Sequence, residues 1–477
     1  MRELGLSARA PALPAAAVRA GAGVSPAAAL LKGARLCLYG LIVLSPFRAK
    51  FLLVARPDGA VWRDYTDFLL YWSDVLLLAV LALWGASLLL ERRRVRTGPA
   101  LVRWPVAGLL AAIWLSVPFS LDPALSAYTA LRLSALVALA LFVANEVRTV
   151  RQIAPALFLM VVSQAAAGLW QVAEQGSAGL GALGELPLDP ARAGASVVSA
   201  ADTPRLLRAY GLTDHPNILG GLIAFALLLL AGTAVRLRSA WFWACAASFG
   251  LGGAALLVAF SRGAWLAMAA GIAVLLGLAL YRRERSRMQA WLALCLAAAV
   301  VCAPLGAHYS RYVGIRLGIA GAAESATEEQ SLTERETLAS NAVEVFAGRP
   351  LLGVGAGALP GAMRDAFPQS NVEFQYAHAV LLDAFAEAGL PGGIAYAALL
   401  AAPWALLWRR RGRLTPELMA ASAALAAVTV AGFFDYYTWT WAPGRIWAWL
   451  VLGLWAAAWE RADAEDAVVS RSAGAGR

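Results

Sequence analysis

The chain has three histidines in 477 residues, and one of them, His378, stands at the mouth of the run YAHAVLLDAFAEAGLPGG. A neutral imidazole is the side chain best suited to take a proton near pH 7. At a helix start, free backbone N–H groups add a place for an anion. Gly389, Pro391, Gly392 and Gly393 then interrupt the helix. At membrane depth such a break is tolerated where the backbone lines a cavity. The plain alternative is an interfacial histidine, hydrogen-bonded at a helix end.

Arginines supply the complementary chemistry. In FSRGAWLA, Arg262 falls in a turn so short that the flanking apolar runs form a hairpin. An arginine beside hydrocarbon costs about 2.5–3.5 kcal/mol, so its guanidinium belongs at the boundary, facing protein or a water-filled cavity. There it is either a bidentate clamp for phosphate or a headgroup anchor. In RAYGLTDHPNILGG, Asp214 or Thr213 before Pro216 is expected to cap a helix, with His215 and Asn217 near its N-terminus. Arg205 and Arg208 stand just outside that start, within reach of an anion. In LTERETLASNAVEVF, Thr333, Glu334, Arg335 and Glu336 read as the first turn of an amphipathic helix. Arg335 there either meets a ligand or pairs with its neighbours. The glycine-rich GVGAGALPG lacks the Gly-Lys-Ser/Thr that ends a phosphate loop. Asp435, among Phe433, Phe434, Tyr436, Tyr437, Trp439 and Trp441, belongs to a sugar-stacking platform or, the simpler expectation, to an interfacial aromatic belt.

Elements able to hold these residues follow from composition. The chain is 60% hydrophobic and 15% charged, with mean hydropathy +0.65. Soluble domains carry roughly 25% charged residues, so this is the composition of a polytopic membrane protein. Eighteen tryptophans and twelve tyrosines suit interfacial belts. Cys37, Cys245, Cys295 and Cys302 all lie inside apolar runs, which excludes a disulfide framework or a zinc-ligand spacing. The net charge of +10 does not point to nucleic acid, because the arginines punctuate apolar segments instead of forming a basic face. Residues 1–28, rich in Ala, Pro, Gly and Arg, read as a disordered cytoplasmic leader, and 461–477 as a polar cytoplasmic tail around a membrane domain of 29–460.

A spanning helix takes about twenty mostly apolar residues. On that measure twelve spans are expected, centred on 31–47, 67–90, 104–119, 126–144, 153–173, 212–234, 240–260, 264–281, 289–307, 379–408, 416–434 and 444–459. The links after the second, fourth, sixth, eighth and tenth are short and basic, and all fall on one side. By the positive-inside rule that side is cytoplasmic, as are both termini. One link, 48–66, breaks the rule by placing Arg48, Lys50, Arg56 and Arg63 outside. Two long segments, about 174–211 and 308–378, then face outward, the second with helical content and an apolar glycine-rich run. His378, His215, His308, Arg262, Arg335, Arg349 and Arg364 all fall on this outer face. No internal repeat is visible, and no Asp/Glu cluster on the outer face is suited to magnesium.

Together, these stretches resemble the O-antigen ligase and Wzy-type polymerase superfamily of bacterial surface-glycan enzymes. His215-Pro216-Asn217 is similar to the family's His-Pro-Asn opening a middle span, and Ser261-Arg262-Gly263 to its Ser-Arg-Gly/Ala turn. Glu334-Arg335 and the run from Pro350 to Gly355 are similar to a Glu-Arg and a Pro-Leu-Leu-Gly-Val-Gly in the large loop, which ends in a histidine. The ligase signature is His, then Asn, Ser or Gln, nine residues, Gly, two residues, and Gly, Thr or Tyr. His378, Gly389 and Gly392 meet those spacings, while Ala379 departs at the second position and weighs against strict ligation. The resemblance covers about 200–395; the first five spans match in number and placement.

The resemblance implies an all-α, GT-C-like polytopic fold with about 12 spans and a large, partly helical periplasmic loop between spans 9 and 10. It implies an O-antigen ligase of the bacterial inner membrane, transferring a glycan from undecaprenyl diphosphate to a lipid A-core hydroxyl at the periplasmic face. Transfer is inverting and needs neither metal nor other cofactor. His378 is then the base; Arg262, Arg335 and Arg208 bind the diphosphate; His215, Asn217, Gly389, Gly392 and Asp435 support them. Expected partners are membrane lipids and glycan-assembly proteins. Polymerisation onto a second lipid-linked repeat and transfer to a protein hydroxyl are the enzymatic alternatives. A lipid-linked-glycan transporter is the non-enzymatic one, and it should carry ionisable residues at mid-membrane depth. Apart from Asp74 and Arg132, the spans are read as lacking them.

Overall fold

The computed structural model describes residues 25–56, 61–200, 203–234, 237, 239–319, 326–410, 412 and 414–475. Residues 1–24 of the expected leader lie outside the described residues. Among the described residues the α-helices are α1 (Pro26–Leu44), α2 (Arg63–Thr66), α3 (Trp72–Glu91), α4 (Ala100–Ser116), α5 (Pro123–Glu146), α6 (Val150–Glu174), α7 (Pro216–Ala231), α8 (Ala240–Val258), α9 (Arg262–Tyr281), α10 (Arg285–His308), α11 (Ser310–Leu317), α12 (Ala326–Gly348), α13 (Leu359–Ala366), α14 (Val380–Arg409), α15 (Pro416–Phe434) and α16 (Ala442–Ala475). Short strands form two antiparallel hairpins, β1 (Lys50–Val54) with β2 (Phe68–Tyr71) and β3 (Val197–Val198) with β4 (Leu206–Leu207).

The protein is an all-α, multi-span membrane protein. Ten helices among the described residues are long and apolar enough to cross a bilayer: α1, α3 to α6, α8 to α10, α14 and α15. Outward side chains such as Leu89, Trp104, Leu296 and Val300 are exposed, as suits a lipid-facing surface. Two of the twelve expected spans fall outside this set. The first, α7, is an apolar helix of 16 residues, every one buried except Asn217. It is wrapped by α6, α8, α9, α15 and α16. At 1.5 Å per residue it is about 24 Å long, short of the roughly 30 Å hydrocarbon core. The second, α16, has 34 residues and stays helical past Glu460, where the sequence predicts a polar tail. Arg410 pairs there with Asp463 and Asp466.

Link 48–66, the exception to the charge rule, has a physical explanation. It carries β1 of the first hairpin and α2, and three of its cations are paired: Arg48 with Asp214, Lys50 with Asp64, and Arg56 with Asp122. Three of its positive charges are neutralised, which removes the conflict with the other links.

The reading of the spans as free of ionisable residues needs correction. Asp74 and Arg132 form a bidentate pair, at 2.8 and 2.7 Å. Asp74 sits in the first turn of α3 and also accepts from the Tyr71 N–H, so the pair belongs to a helix end. Asp383 and Glu387 in α14 were overlooked, and both are buried. Asp383 accepts from the Ala377 N–H at 2.9 Å. Glu387 accepts from the Gly357 N–H at 2.7 Å and from Trp439 Nε1 at 2.8 Å.

Their depth follows from the break in α14. Gly389 has φ 65°, ψ −168°, a conformation open in practice only to glycine. The 20 residues after it suffice to span a bilayer, so Asp383 and Glu387 precede the span, on the N-terminal side of the break. Pro391 has no N–H, and the kink strips the Ala386 and Glu387 carbonyls of helical partners. The non-helical segment 353–355 replaces them: Val354 N–H donates to Ala386 O and Gly355 N–H to Glu387 O, both at 2.9 Å. Leu390 N–H returns a bond to Pro350 O at 2.8 Å. A Cβ on Gly389 would overlap the Leu351 carbonyl, and one on Gly353 (φ 69°) would overlap that of Glu387. The Pro-Leu-Leu-Gly-Val-Gly run and the spaced glycines are therefore two halves of one joint. Gly392 continues it: a Cβ there would overlap the side chain of Ala388 across the kink.

Candidate active site

Two cavities meet on one side of this joint. The larger, about 830 Å³, is lined by His378, His215, Asn217, Arg335, Asp435 and an aromatic wall. The smaller, about 350 Å³, is lined by Arg205, Arg208, Arg262, Arg316 and Arg335. They share Gly194, His215, Asn217, Ser331, Arg335, Asp435 and Tyr437.

The smaller cavity is built where helices end. The chain turns from α8 to α9 in three residues, with Phe260 left-handed at φ 46° and Ser261 Oγ capping α9 by accepting from the Ala264 N–H. Carbonyls at a helix C-terminus lack intrahelical donors. Here Ala209 N–H donates to Val258 O (3.0 Å), Arg208 Nε to Ala259 O (2.8 Å) and Arg316 Nε to Phe260 O (2.8 Å). Cations are also favoured at that end by the helix dipole. Arg262 opens α9, and its N-terminus and that of α7 both face the cavity. Backbone N–H groups and guanidinium groups thus converge on one volume, the chemistry of an anion site.

The start of α7 differs from expectation. Asp214 does not cap it, being committed to Arg48. His215 is the cap: its Nδ1 accepts from the Asn217 N–H at 3.2 Å.

Asn217 links the two cavities. Its Oδ1 accepts from Arg208 at 2.7 Å and its Nδ2 donates to Asp435 Oδ2 at 2.7 Å. Asp435 Oδ1 accepts from the Tyr436 N–H and lies 3.9 Å from His378 Nδ1. That nitrogen is buried without a hydrogen-bond partner. A closure of about 1 Å would make the Nδ1–H···Oδ1 bond and leave Nε2 as the basic atom. His378 is left-handed at φ 53°, a conformation that costs a non-glycine residue about 1–2 kcal/mol and is concentrated at functional sites. Burial lowers its pKa from 6.5 to about 4; Asp435 opposes that shift and Arg335 adds to it. The ring is therefore neutral at pH 7 and able to accept a proton.

Tyr436 supports the histidine edge-on at 4.7 Å, and its hydroxyl is bonded to Tyr65 (2.7 Å) and Gln375 (2.8 Å). An isolated bridge between Val61 and Phe374 ties the first hairpin to the segment leading into His378. Tyr436, Tyr437 and Trp441 are buried along the cavity and Phe434 lines the smaller one, so this cluster is not the lipid-facing belt expected; Phe433 is half exposed.

Of the residues singled out in the sequence, His378, His215, Asn217, Arg335 and Asp435 come together, with Arg262 and Arg208 across the shared wall. Gly389 and Gly392 touch neither cavity and act through the joint. Thr333–Glu336 lie well inside α12, which begins at Ala326, not in its first turn. His308 is exposed at the end of α10, Arg349 donates to Phe119 O at 3.2 Å, and Arg364 to Asp365. Arg316 and Arg48 were missed. The signal for Arg48 was its breach of the charge rule; Arg316, one of two arginines in the short helix α11, had none.

The fold and site define a multi-pass membrane protein with an arginine-lined anion cavity open to a histidine-bearing one. Residues 247–397 match the family model Wzy_C, described as O-antigen ligase. Over this segment, about a third of the chain, the protein is similar to that family. The matched segment holds Arg262, Arg335, His378 and the joint, whereas Arg208, His215, Asn217 and Asp435 lie outside it. No curated protein matches the chain.

Proposed function

We propose that the protein is an O-antigen ligase, moving a glycan from undecaprenyl diphosphate to a lipid A-core hydroxyl at the periplasmic face of the bacterial inner membrane. The observation that carries this reading is the juncture of an arginine-lined cavity with a buried, neutral histidine through Asn217 and Asp435. The diphosphate lies against Arg262 and Arg335 and the N-terminus of α7. Arg208, held by Ala259 O, Ser196 and Asn217, keeps the cavity in shape. The acceptor hydroxyl sits at His378 Nε2. Its oxygen attacks the anomeric carbon, its proton passes to Nε2, and the bond from that carbon to the diphosphate oxygen breaks. The diphosphate leaves with the electron pair, its charge met by the arginines. Single displacement inverts the anomeric centre. Asp435 steadies the imidazolium that forms. Charge on the leaving group is carried by arginine, so the reaction proceeds without metal.

On this reading α7 and α16 complete twelve spans, and both termini are cytoplasmic. Ala379, the departure from the ligase signature, is the N-cap of α14 and offers no side-chain cap. Asn and Ser are among the best capping residues, so that position has a helix-capping role that does not discriminate between acceptors.

The test is transfer by the purified chain with undecaprenyl-diphosphate glycan and lipid A-core, in excess EDTA. Wild type is expected to glycosylate lipid A-core, and His378→Ala and Arg262→Ala to lose activity while remaining folded. Glycan lengthening on the polyprenyl carrier with bare lipid A would identify a polymerase instead. Activity retained in His378→Ala would remove the base.

A further inference from the structure

The two cavities differ in charge and surface. The smaller sets five arginines against one carboxylate, Asp435. The larger has Arg48 and Arg335 against Asp214, Glu334, Glu373 and Asp435. Arg48 is already committed to Asp214, and Glu334 and Glu373 have no ion-pair partner among the described residues. An anionic ligand is drawn to the first volume and repelled by the rim of the second. The second also has an uninterrupted aromatic side. Trp62 is 52% exposed, lies 5.3 Å from Trp441, and meets Tyr65 edge-on at 5.7 Å. Tyr65 contacts Tyr436, which touches His378. A large ring left half open on a polar cavity wall, with carboxylates in the same lining to accept hydrogen bonds from hydroxyls, offers what the apolar face and the hydroxyl edge of a pyranose need.

We infer that the larger cavity binds the acceptor as an uncharged pyranose stacked on Trp62, and discriminates against a sugar phosphorylated at or beside the reacting residue. The catalytic part of this assignment rests on the reading of His378 as the acceptor's base; the binding preference does not. It narrows the acceptor to an unphosphorylated terminal sugar.

Two probes test it: delipidated core oligosaccharide, as isolated and after removal of its phosphates with hydrofluoric acid. Saturation-transfer NMR on the full-length protein in detergent reads binding of each. The dephosphorylated probe is expected to bind at least tenfold tighter. Trp62→Ala should weaken it at least tenfold and Trp62→Phe less than threefold, while Glu373→Lys should recover the phosphorylated probe. In transfer assays Trp62→Ala should raise the acceptor KM with kcat and donor KM unchanged. Equal or tighter binding of the phosphorylated probe, no effect of Trp62→Ala, or no binding of either probe overturns the assignment. Trp62-dependent binding without transfer to any acceptor supports the cavity assignment and refutes the transferase reading. Transfer to both acceptors with equal KM does the reverse.

Discussion

Replacing Asp435 by Asn tests the link between the two cavities with little change in shape. The carboxylate lies 3.9 Å from His378 Nδ1, and its other oxygen is held by Asn217. An amide can keep the Asn217 bond but brings no charge to the imidazolium. At that separation two unit charges attract by about 4 kcal/mol at an effective dielectric of 20, and partial access of water lowers this to about 2–4 kcal/mol. The imidazolium is fully formed only as the acceptor proton is taken, so the loss falls on the transition state. It corresponds to a drop of roughly 30- to 1000-fold in kcat, with KM for donor and acceptor little changed. The His378 pKa should move below its present value of about 4, because Asp435 is the group that raises it. The acid limb of the kcat–pH profile, set by loss of the neutral base, should then shift to lower pH. The assay is steady-state transfer from pH 3.5 to 8 on protein of unchanged thermal stability. A kcat within threefold of wild type, or an acid limb that moves upward, would refute the dyad.

Two further perturbations follow from the same geometry. Arg335→Gln removes a charge that depresses the His378 pKa, so the acid limb should shift upward from about pH 4 while donor KM rises about tenfold; pH–rate profiles at two donor concentrations check both. Gly389→Ala forces a side chain into a conformation that costs about 1–3 kcal/mol and overlaps the Leu351 carbonyl, so both the melting temperature and transfer should fall. Wild-type melting in that variant would mean that the kink is not required.

The helices were legible because each is a long apolar run between polar punctuation, and periodicity was hardly needed. Span α7 was expected as long as its neighbours, since the sequence does not show that its residues after Ala231 leave the helix. The site was legible at His378 and Arg262, where a rare or costly residue type stands at a boundary. It was less so at Asp435, which lies in an aromatic cluster with the composition of a lipid belt. What distinguishes it is a bond to Asn217, 218 positions away, and no local pattern reports such a pairing. The exchange of capping roles between Asp214 and His215 was hidden for the same reason: Asp214 is drawn off by Arg48, 166 positions earlier.

The joint between 350–355 and the broken helix bears on how this protein can be recombined. Donors on residues 353–355 satisfy acceptors on α14, so neither half is chemically complete when detached. A chimera that exchanges the exterior loop at the membrane surface, near Val380, would cut through those bonds and pair a foreign loop with carbonyls shaped for another. The transferable module instead runs through Gly393, and its natural seam is the start of the uninterrupted span, inside what the hydropathy profile shows as a single helix.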